Sequence, residues 1–254
     1  MELADKIAIV TGAAGGIGGA VAHALAARGA HVYAADLADA GPVVQAIRAQ
    51  GGRATAASLD VTRLDQIRGL AARVQAEQGG IDILVTAAGI TGFGAAATLT
   101  EEQWDRIQDI NLKGVFFCCQ SVIEPMRRRG GGRIVNIGSI LGKNGGNARP
   151  WLDPDEQQRS SNISYGAAKA GVHALTFYLA RELASSGITV NAVAPGPIAS
   201  AMTSGFPEAL RRIIPLNRMG TAEEVAAAVA FLAGGSASFI TGEVLDVNGG
   251  MWAD

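Results

Sequence analysis

A tyrosine followed four positions later by a lysine, in YGAAK from Tyr165 to Lys169, is the spacing most suggestive of chemistry in this chain. Residues four apart lie on one face of a helix, so both side chains should project together. A free tyrosine has a pKa of about 10 and is a poor base at neutral pH. A nearby lysine ammonium stabilises tyrosinate and lowers that pKa. The pair predicts proton exchange with an alcohol or ketone, although the same spacing also occurs in ordinary surface helices.

A glycine-rich turn, TGAAGGIG from Thr11 to Gly18, follows the first strand-like run and opens a helix-like run. Glycines permit a tight turn and let the backbone approach a pyrophosphate, which then lies at the N-terminus of the helix. The spacing of Gly12, Gly16 and Gly18 differs from the usual G-x-G-x-x-G form. Taken alone, the turn is therefore also compatible with a plain connection between a strand and a helix.

Asp36 ends the second strand-like run and adds a feature of cofactor binding. A carboxylate at this place can accept hydrogen bonds from an adenosine ribose diol, and it repels a 2′-phosphate. No arginine or lysine stands at positions 13–15 or 37–38 to neutralise such a phosphate. The sequence therefore predicts NAD rather than NADP, with Asp60 meeting the adenine through its side chain and Val61 through its backbone.

Strand-like and helix-like runs alternate along the whole chain. The strands are predicted in KIAIVTG, HVYAAD, RATAASLDV, IDILVTAAG, GRIVNIGS, ITVNAVAPG and EVLDVNGG, and the helices over 18–28, 41–50, 64–77, 101–129, 165–185 and 222–232. Continuous apolar strands separated by helices are typical of a parallel sheet covered on both faces. The predicted fold class is α/β, a single-domain doubly wound Rossmann-type fold with a seven-stranded parallel sheet that spans residues 1–254.

The composition argues against several other classes of protein. The chain is 48% hydrophobic and 17% charged with a net charge of −2, which is globular and gives no bulk attraction to nucleic acid or an anionic membrane. No apolar run is long enough for a membrane span, and no signal-peptide layout is present. The scattered His23, His31 and His173 have no metal-ligand spacing and are interpreted as solvated or core-edge side chains. Cys118 and Cys119 are adjacent in a predicted helix and should point apart, so no disulfide between them is expected. A chain without disulfides fits a reducing environment, and the predicted location is the cytoplasm.

In combination, these motifs resemble the short-chain dehydrogenase/reductase family from one end of the chain to the other. The motifs that carry the resemblance are TGAAGGIG, Asp36, LDV (59–61), AAG (87–89), NLKG (111–114), GRIVNIGS (132–139), YGAAK, VNAVAPGPI (190–198), IPLNRMGTAEEVA (214–226) and ITGEVLDVNGG (240–250). The resemblance implies an oxidoreductase in which hydride passes between NAD(H) and the carbon of a secondary alcohol or ketone. It also implies a homotetramer.

The family resemblance implies roles for individual residues. Tyr165 is the implied general acid/base, Lys169 tunes it and binds the nicotinamide ribose, and Ser139 hydrogen-bonds the reacting oxygen. Asn111 is implied to interrupt its helix and to help hold a water in a proton relay. The residues expected to bind the cofactor are Gly12, Gly16, Ile17, Gly18, Asp36, Asp60, Val61, Ala88, Gly89, Tyr165, Lys169, Pro195, Gly196, Ile198 and Ser200. No metal site is expected.

The chain departs from the family pattern in two places. Thr86 and Ala87 precede Ala88-Gly89 where the family usually has asparagine, and the Thr86 hydroxyl can partly replace that contribution. Ser139 and Tyr165 are also 26 positions apart, roughly a dozen more than the family pattern. Residues 143–162 are therefore interpreted as an inserted loop near the active site.

The insertion leaves more than one serine as a candidate partner of the tyrosine. Ser160, Ser161 and Ser164 are all closer to Tyr165 in sequence. Ser139 is favoured because it ends the fifth strand, where a parallel sheet presents its functional residues.

The identity of the substrate is less constrained than the reaction. A substrate lid is expected over 197–219, where Met202 and Phe206 either line a partly apolar pocket or only pack a lid helix. In the insertion, Trp151 together with Arg149 or Asp153 either caps the substrate or belongs to a solvated excursion of the chain.

The sequence is compatible with three functions. The first choice is NAD-linked oxidation of a secondary alcohol such as a sugar, polyol, hydroxyacyl or cyclic alcohol. The alternative is a 3-oxoacyl carrier-protein (or CoA) reductase, for which Arg127–Arg129 and Arg181 could meet an acidic carrier. A non-catalytic NAD-binding sensor or scaffold is the third function, and the presence of Asn111, Ser139, Tyr165 and Lys169 argues against it.

Overall fold

Seven parallel strands form one sheet in the order β3-β2-β1-β4-β5-β6-β7. They are β1 (Ile7–Thr11), β2 (His31–Asp36), β3 (Arg53–Ser58), β4 (Ile83–Thr86), β5 (Gly132–Ile137), β6 (Ile188–Pro195) and β7 (Val244–Val247). The structure is a computed structural model and describes residues 2–146, 151, 153, 155–156, 160–199 and 208–253. The strand order reverses between β1 and β4, so a crevice opens at the carboxyl ends of these strands, where doubly wound sheets bind ligands. The predicted fold class is confirmed.

Helices cover both faces of this sheet. They are α1 (Gly16–Ala27), α2 (Gly41–Ala49), α3 (Leu64–Gln78), α4 (Glu101–Gln108), α5 (Gly114–Arg128), α6 (Leu141–Asn144), α7 (Ile163–Leu183), α8 (Glu208–Arg211) and α9 (Ala222–Ala233). One apolar core lies between the sheet and α1, α2 and α9, and a second lies between the sheet and α3, α5 and α7. Every residue of β1, β4 and β6 is buried, which explains the continuous apolar runs in their sequences.

The observed strands are shorter at their carboxyl ends than the sequence patterns predict. β3 stops at Ser58 and β4 at Thr86, so the LDV and AAG motifs lie in the loops that leave the sheet. Ser139 likewise lies two residues beyond the end of β5. These loops converge on the crevice, because all the parallel strands present their carboxyl ends at the same edge.

The predicted helix over 101–129 is divided into α4, a π-helical turn at Asp109–Lys113 and α5. Thr100 starts α4 with a capping box, in which its hydroxyl accepts from the backbone N–H of Gln103 and the Gln103 side chain accepts from the backbone N–H of Thr100. Asn111 lies in the middle of the π-helical turn. Single π-helical turns of this kind occur frequently at functional sites.

The long helix α7 joins the YGAAK motif to the end of β5. Its buried side chains include Lys169, His173 and Thr176, which share one face because they are spaced by four, three and seven residues. Each of the three makes a hydrogen bond with β5 or with the loop that follows it. These bonds fasten α7 to β5 and to the loop that follows it.

Candidate active site

Ser139 and Tyr165 meet at the crevice although 26 positions separate them in sequence. The Ser139 side chain is hydrogen-bonded to the Tyr165 side chain. The Ser139 hydroxyl oxygen also accepts from the backbone N–H of Leu141 at 3.2 Å, and the residue is only 6% exposed. Of the serines considered from the sequence, Ser139 is therefore the one that the structure pairs with Tyr165.

The protonation of Tyr165 differs from the sequence-based expectation. Burial raises the pKa of Tyr165, and the hydrogen bond with Ser139 opposes the rise only in part. The expected lowering by Lys169 is wrong for the protein alone, because the ammonium lies 5.7 Å from the centroid of the tyrosine ring and donates elsewhere. A tyrosine with a raised pKa is protonated at neutral pH and can donate a proton to a carbonyl oxygen.

Lys169 carries its ammonium group into an almost solvent-free position. The residue is 4% exposed, and its Nζ donates to the carbonyl oxygen of Ile137 at 2.7 Å. Burial lowers the pKa of Lys169 to about 8, so the group is still mainly cationic at pH 7. A Cβ atom on Gly89 would lie 3.7 Å from Nζ, which places the ammonium next to the AAG loop.

Asn111 is fully buried and is bound to the same loop. Its Oδ1 accepts from the backbone N–H of Ile90 at 2.9 Å, and its Nδ2 donates to the carbonyl oxygen of Ile90 at 2.7 Å. The side chain therefore holds the segment after Gly89 in place. The role in holding a water, which the family resemblance implies, stays a prediction.

The glycine turn has the close packing that a pyrophosphate site needs. Gly12 has a φ of +68°, and a Cβ atom there would lie 2.6 Å from the backbone nitrogen of Ala88. A Cβ atom on Gly18 would collide with the carbonyl oxygen of Gly12. At the start of α1, Gly15 supplies no side-chain cap, so the N–H groups of the first turn face the crevice without a competing side-chain acceptor. The turn fits a dinucleotide phosphate.

Asp36 lies beside this turn at the end of β2. Its Oδ2 accepts from the backbone N–H of Ala14 at 2.9 Å, and its Oδ1 accepts from the backbone N–H of Ala38 at 2.9 Å. A carboxylate has about four acceptor positions, so both oxygens retain capacity for a ribose hydroxyl. The surroundings of Asp36 therefore fit the adenosine end of a dinucleotide.

The remaining predicted cofactor residues lie around the same edge of the sheet. Asp60 accepts hydrogen bonds from the hydroxyl and the backbone N–H of Thr62, and these bonds lower its pKa and keep it ionised. The carbonyl oxygen of Pro195 accepts from the backbone N–H of Ile140 at 3.0 Å, and Gly196 donates to Val247 at 3.0 Å. Pro195 and Gly196 thus connect the ends of β5, β6 and β7.

The predicted insertion and lid are both fastened at their described ends. The backbone N–H of Gly94 donates to Ser161 at 2.8 Å beside a bridge from Gly94 to Asn162, which ties the end of the insertion to the loop after β4. Ile198 forms a bridge with Gly220, which closes the base of the lid. Trp151 is 50% exposed. Several residues considered from the sequence lie outside the described residues, namely Arg149, Ser200, Met202 and Phe206.

Thr11 is a residue of the site that the sequence argument did not single out. Its Oγ1 accepts from the backbone N–H groups of Ala87 and Ala88 at 3.1 and 3.2 Å, so it joins the glycine turn to the AAG loop. Its position directly before Gly12 was the available signal. Thr86, by contrast, points into the sheet, where its buried hydroxyl donates to Oδ1 of Asn136 at 2.8 Å.

The basic run Arg127–Arg129 lies at the amino edge of the sheet, before β5 and at the opposite end of that strand from Ser139. Arg127 pairs with Glu124 at 2.6 Å, and Arg129 pairs with Asp82 at 2.8 Å. Within the described ranges, no cluster of three His, Cys, Asp or Glu residues is arranged to hold a metal ion. No helix in the described part of the chain is long and apolar enough to cross a membrane.

Comparisons with known proteins agree with this geometry. A family model described as Enoyl-(Acyl carrier protein) reductase matches residues 12–252. Proteins named 3-oxoacyl-[acyl-carrier-protein] reductase FabG are 41% identical in Staphylococcus epidermidis, over 98% of this chain and 99% of the relative, and 42% identical in Escherichia coli, over 99% of both.

Solved structures are also similar over nearly the whole chain. A short-chain type dehydrogenase/reductase from Mycobacterium marinum has a TM-score of 0.90 and 36% identity, over 100% of this chain and 98% of that one. The crystal structure of gox2181 has a TM-score of 0.90 and 37% identity, over 98% and 96% of the two chains. The chain therefore belongs to the short-chain dehydrogenase/reductase family of nicotinamide-dependent oxidoreductases.

Proposed function

We propose that this protein is a ketoreductase that transfers hydride between NAD(H) and the 3-oxo carbon of an acyl thioester. The observation that carries the reaction type is the hydrogen-bonded pair of Ser139 and Tyr165 at the crevice. The substrate class is supported by the relatives named as 3-oxoacyl-[acyl-carrier-protein] reductases. These relatives favour the sequence-based alternative over the first choice, the oxidation of a secondary alcohol.

The residues of the chain supply the proton and the geometry. A bound nicotinamide supplies the hydride that adds to the carbonyl carbon of the substrate. The Ser139 hydroxyl holds the carbonyl oxygen, and the protonated Tyr165 donates a proton to that oxygen as negative charge develops on it. The tyrosinate left behind regains a proton from solvent, and Lys169 is the cation proposed to stabilise it once cofactor and substrate are bound.

The preference for NAD(H) rests on Asp36. Its two carboxylate oxygens are fixed beside the glycine turn by the backbone of Ala14 and Ala38. A fixed negative charge at the ribose position favours a free 2′-hydroxyl and repels a 2′-phosphate. The residues nearest to it in the turn, Ala13 and Ala14, carry no charge that would offset the repulsion.

The chain 1–254 acts as one cofactor-binding and catalytic domain in this proposal, with the insertion 143–162 and the lid 197–219 shaping the substrate site. The anchored ends at Gly94–Asn162 and Ile198–Gly220 support a fixed base for each segment. Shortening the insertion should therefore change the KM and the substrate preference, while an unchanged substrate profile would favour a solvated excursion.

The buried free thiols Cys118 and Cys119 suit a reducing location such as the cytoplasm.

The function is tested by following NADH oxidation with a panel of acetoacetyl thioesters, on CoA and on a carrier protein, beside NAD reduction with secondary alcohols. We expect turnover of the thioesters, and a loss of kcat by about 10²- to 10⁴-fold in Tyr165→Phe. The matched control is Tyr178→Phe, since Tyr178 lies on the same helix and is 78% exposed.

The other possible outcomes would each favour a different function or overturn the role of Tyr165. Turnover of alcohols alone would return the assignment to an alcohol dehydrogenase. Binding of NADH without turnover of any substrate would support a sensor or scaffold, and full activity in Tyr165→Phe would overturn the role of Tyr165.

A further inference from the structure

His173 packs against the backbone of Ser139 from the interior of the protein. The residue lies on α7 four positions after Lys169 and is 5% exposed. The backbone N–H of Ser139 donates to its Nε2 at 3.4 Å. Because a backbone N–H can only donate, Nε2 must carry a lone pair, and the proton of the neutral ring is on Nδ1.

Two glycines give the imidazole room on both sides of Ser139. A Cβ atom on Gly138 would collide with Nε2 of His173, and a Cβ atom on Gly142 would lie 2.9 Å from its Cε1. The ring therefore fills the space between the chain entering Ser139 and the chain leaving it. The loop after β5 is shaped to receive a planar ring from α7.

The hydrogen bond to His173 replaces a bond that the sheet no longer provides. The backbone N–H of Gly138 still donates to Val193 of β6 at 2.8 Å, but Ser139 lies beyond the end of β5 and is almost fully buried. A buried N–H without an acceptor is unfavourable, so the loop would move to satisfy it. Any such movement would carry the Ser139 hydroxyl away from Tyr165.

We propose that His173 is a positioning residue for the reaction, which acts by holding the Ser139 backbone so that the hydroxyl stays hydrogen-bonded to Tyr165. The inference rests on the proposed function, because it requires Ser139 and Tyr165 to act on the substrate. On this proposal, the catalytic rate depends on the side chain of His173 on α7 as well as on Ser139 and Tyr165.

Three variants separate positioning from general stability. His173→Phe keeps an aromatic ring but removes the acceptor, and His173→Gln restores an acceptor oxygen. Thr176→Val is the matched control, because Thr176 is buried on the same face of α7 and accepts from Nδ2 of Asn136 at 3.0 Å, further from Ser139. Activity, the Kd for NADH and the Tm are measured for each variant.

We expect His173→Phe to lower kcat by about ten- to a hundredfold, since a misplacement of about 1 Å can cost that much, with little change in the Kd for NADH. His173→Gln should recover most of the loss, and Thr176→Val should lower the Tm while leaving kcat near that of the wild type. An equal fall of kcat in Thr176→Val and His173→Phe, or an unchanged kcat in His173→Phe, would overturn the proposal.

A double variant tests whether His173 acts through Ser139. If it does, adding His173→Phe to Ser139→Ala should change kcat by less than about twofold, whereas independent effects would multiply. Multiplying effects would contradict the positioning role. If Ser139→Ala alone keeps full activity, it is the proposed function that fails, so the two failures are distinguishable.

Discussion

Lys169 places a cation where the fold disfavours it. Its pKa falls from 10.5 to about 8 because the side chain is buried, which corresponds to a cost on the order of 3 kcal/mol for the protonated form at pH 7. The hydrogen bond to the carbonyl oxygen of Ile137 offsets only part of this cost. The presence of a lysine at this buried position is therefore explained by its place beside Tyr165 rather than by a contribution to the stability of the fold.

Lys169→Met should stabilise the protein and inactivate it. We expect the free energy of unfolding at pH 7 to rise by about 1–3 kcal/mol, as when a buried charge is replaced by an apolar side chain, while kcat falls steeply. The exposed Lys113, which pairs with Asp109 at 3.0 Å, gives the control variant Lys113→Met, with little effect on either quantity. A loss of stability in Lys169→Met would contradict the account.

The same argument predicts a pH dependence. Between pH 8 and 10.5 the unfolded chain binds more protons at this lysine than the folded protein does, so the free energy of unfolding of the wild type should rise with pH. Lys169→Met should lack this rise, and the two proteins should run parallel below pH 8. Urea titrations across this range measure the difference, and parallel behaviour throughout would show that Lys169 titrates normally.

Asp36 should set the cofactor preference through its charge. Asp36→Asn removes the charge and one acceptor, and we expect the ratio of kcat/KM for NADH over NADPH to fall by about tenfold or more, the value of one hydrogen bond to a charged group. Asp39→Asn is the control, because Asp39 lies three residues further on and accepts from the backbone N–H of Gly41. An unchanged ratio in Asp36→Asn would remove Asp36 from the explanation.

Individual residues differ in how well the sequence could predict them. Ser139 was predicted because strand ends carry functional residues in a parallel sheet, and the structure pairs it with Tyr165. The raised pKa of Tyr165 could not be predicted, since it depends on burial, which appears only after folding. His173 was assigned to a solvated or core-edge position, although its spacing of four from Lys169 already placed both on one face of a helix.

Asp82 connects elements at the amino edge of the sheet, opposite the site. Its Oδ2 accepts from the backbone N–H of Ile7 at 2.9 Å and from Arg129 at 2.8 Å, and its Oδ1 accepts from Lys6 at 3.2 Å. Burial raises the pKa of Asp82, but these hydrogen bonds outweigh burial and hold the pKa below its usual value. One carboxylate thus joins the starts of β1 and β4 to the end of α5.

Asp82→Asn should lower stability without changing catalysis. We expect a loss of about 2 kcal/mol in the free energy of unfolding at pH 7, because Arg129 and Lys6 lose their carboxylate, and an unchanged kcat. Because the pKa of Asp82 is lower in the folded protein, its contribution to the free energy of unfolding is complete above the unfolded pKa of 3.8. That contribution is lost as the pH falls through the pKa of the folded protein. The difference between Asp82→Asn and the wild type should therefore shrink in acid.

Asp65→Asn provides the comparison for that experiment. Asp65 pairs with Arg63 at 3.3 Å, and both side chains are exposed, so the change should be at most about 1 kcal/mol. Equal effects at positions 65 and 82 would mean that the Asp82 cluster adds no special stability.

The elements themselves were largely predictable, because buried parallel strands read as continuous apolar runs. The ends of two strands differ from the sequence patterns. Thr86 and Ser58 end their strands earlier than the patterns suggest, since apolar residues continue into loops that pack against the crevice. The π-helical turn around Asn111 agrees with the helix interruption that the family resemblance implies. What the sequence did not predict is that Asn111 bonds to the backbone of Ile90, in a distant part of the chain.

Among the described residues, several large aromatic side chains are exposed, and they include one pair on α7 and another pair on α9 and in the segment after it. Phe177 and Tyr178 on α7 are 47% and 78% exposed, while Phe231 on α9 and Phe239 before β7 are 44% and 102% exposed. Exposed apolar groups concentrated in this way mark interaction surfaces. They support the homotetramer that the family resemblance implies.

The mass in solution tests this assembly. We expect the wild type to have four times the mass of one chain, and Tyr178→Glu to dissociate it because a charge at an apolar interface is costly. Arg68→Glu, on the exposed side of α3, should leave the mass unchanged. Light scattering after gel filtration gives the masses, and a monomeric wild type would overturn the proposal.

The central claim, a reductase of 3-oxoacyl thioesters that uses NAD(H), is tested most directly by one comparison of rates. The kcat/KM values for NADH and NADPH are measured on the wild type with the same acetoacetyl thioester. The carboxylate of Asp36 beside the glycine turn predicts at least about tenfold higher kcat/KM with NADH. Equal or faster turnover with NADPH, or no turnover of the thioester with either cofactor, would contradict the account.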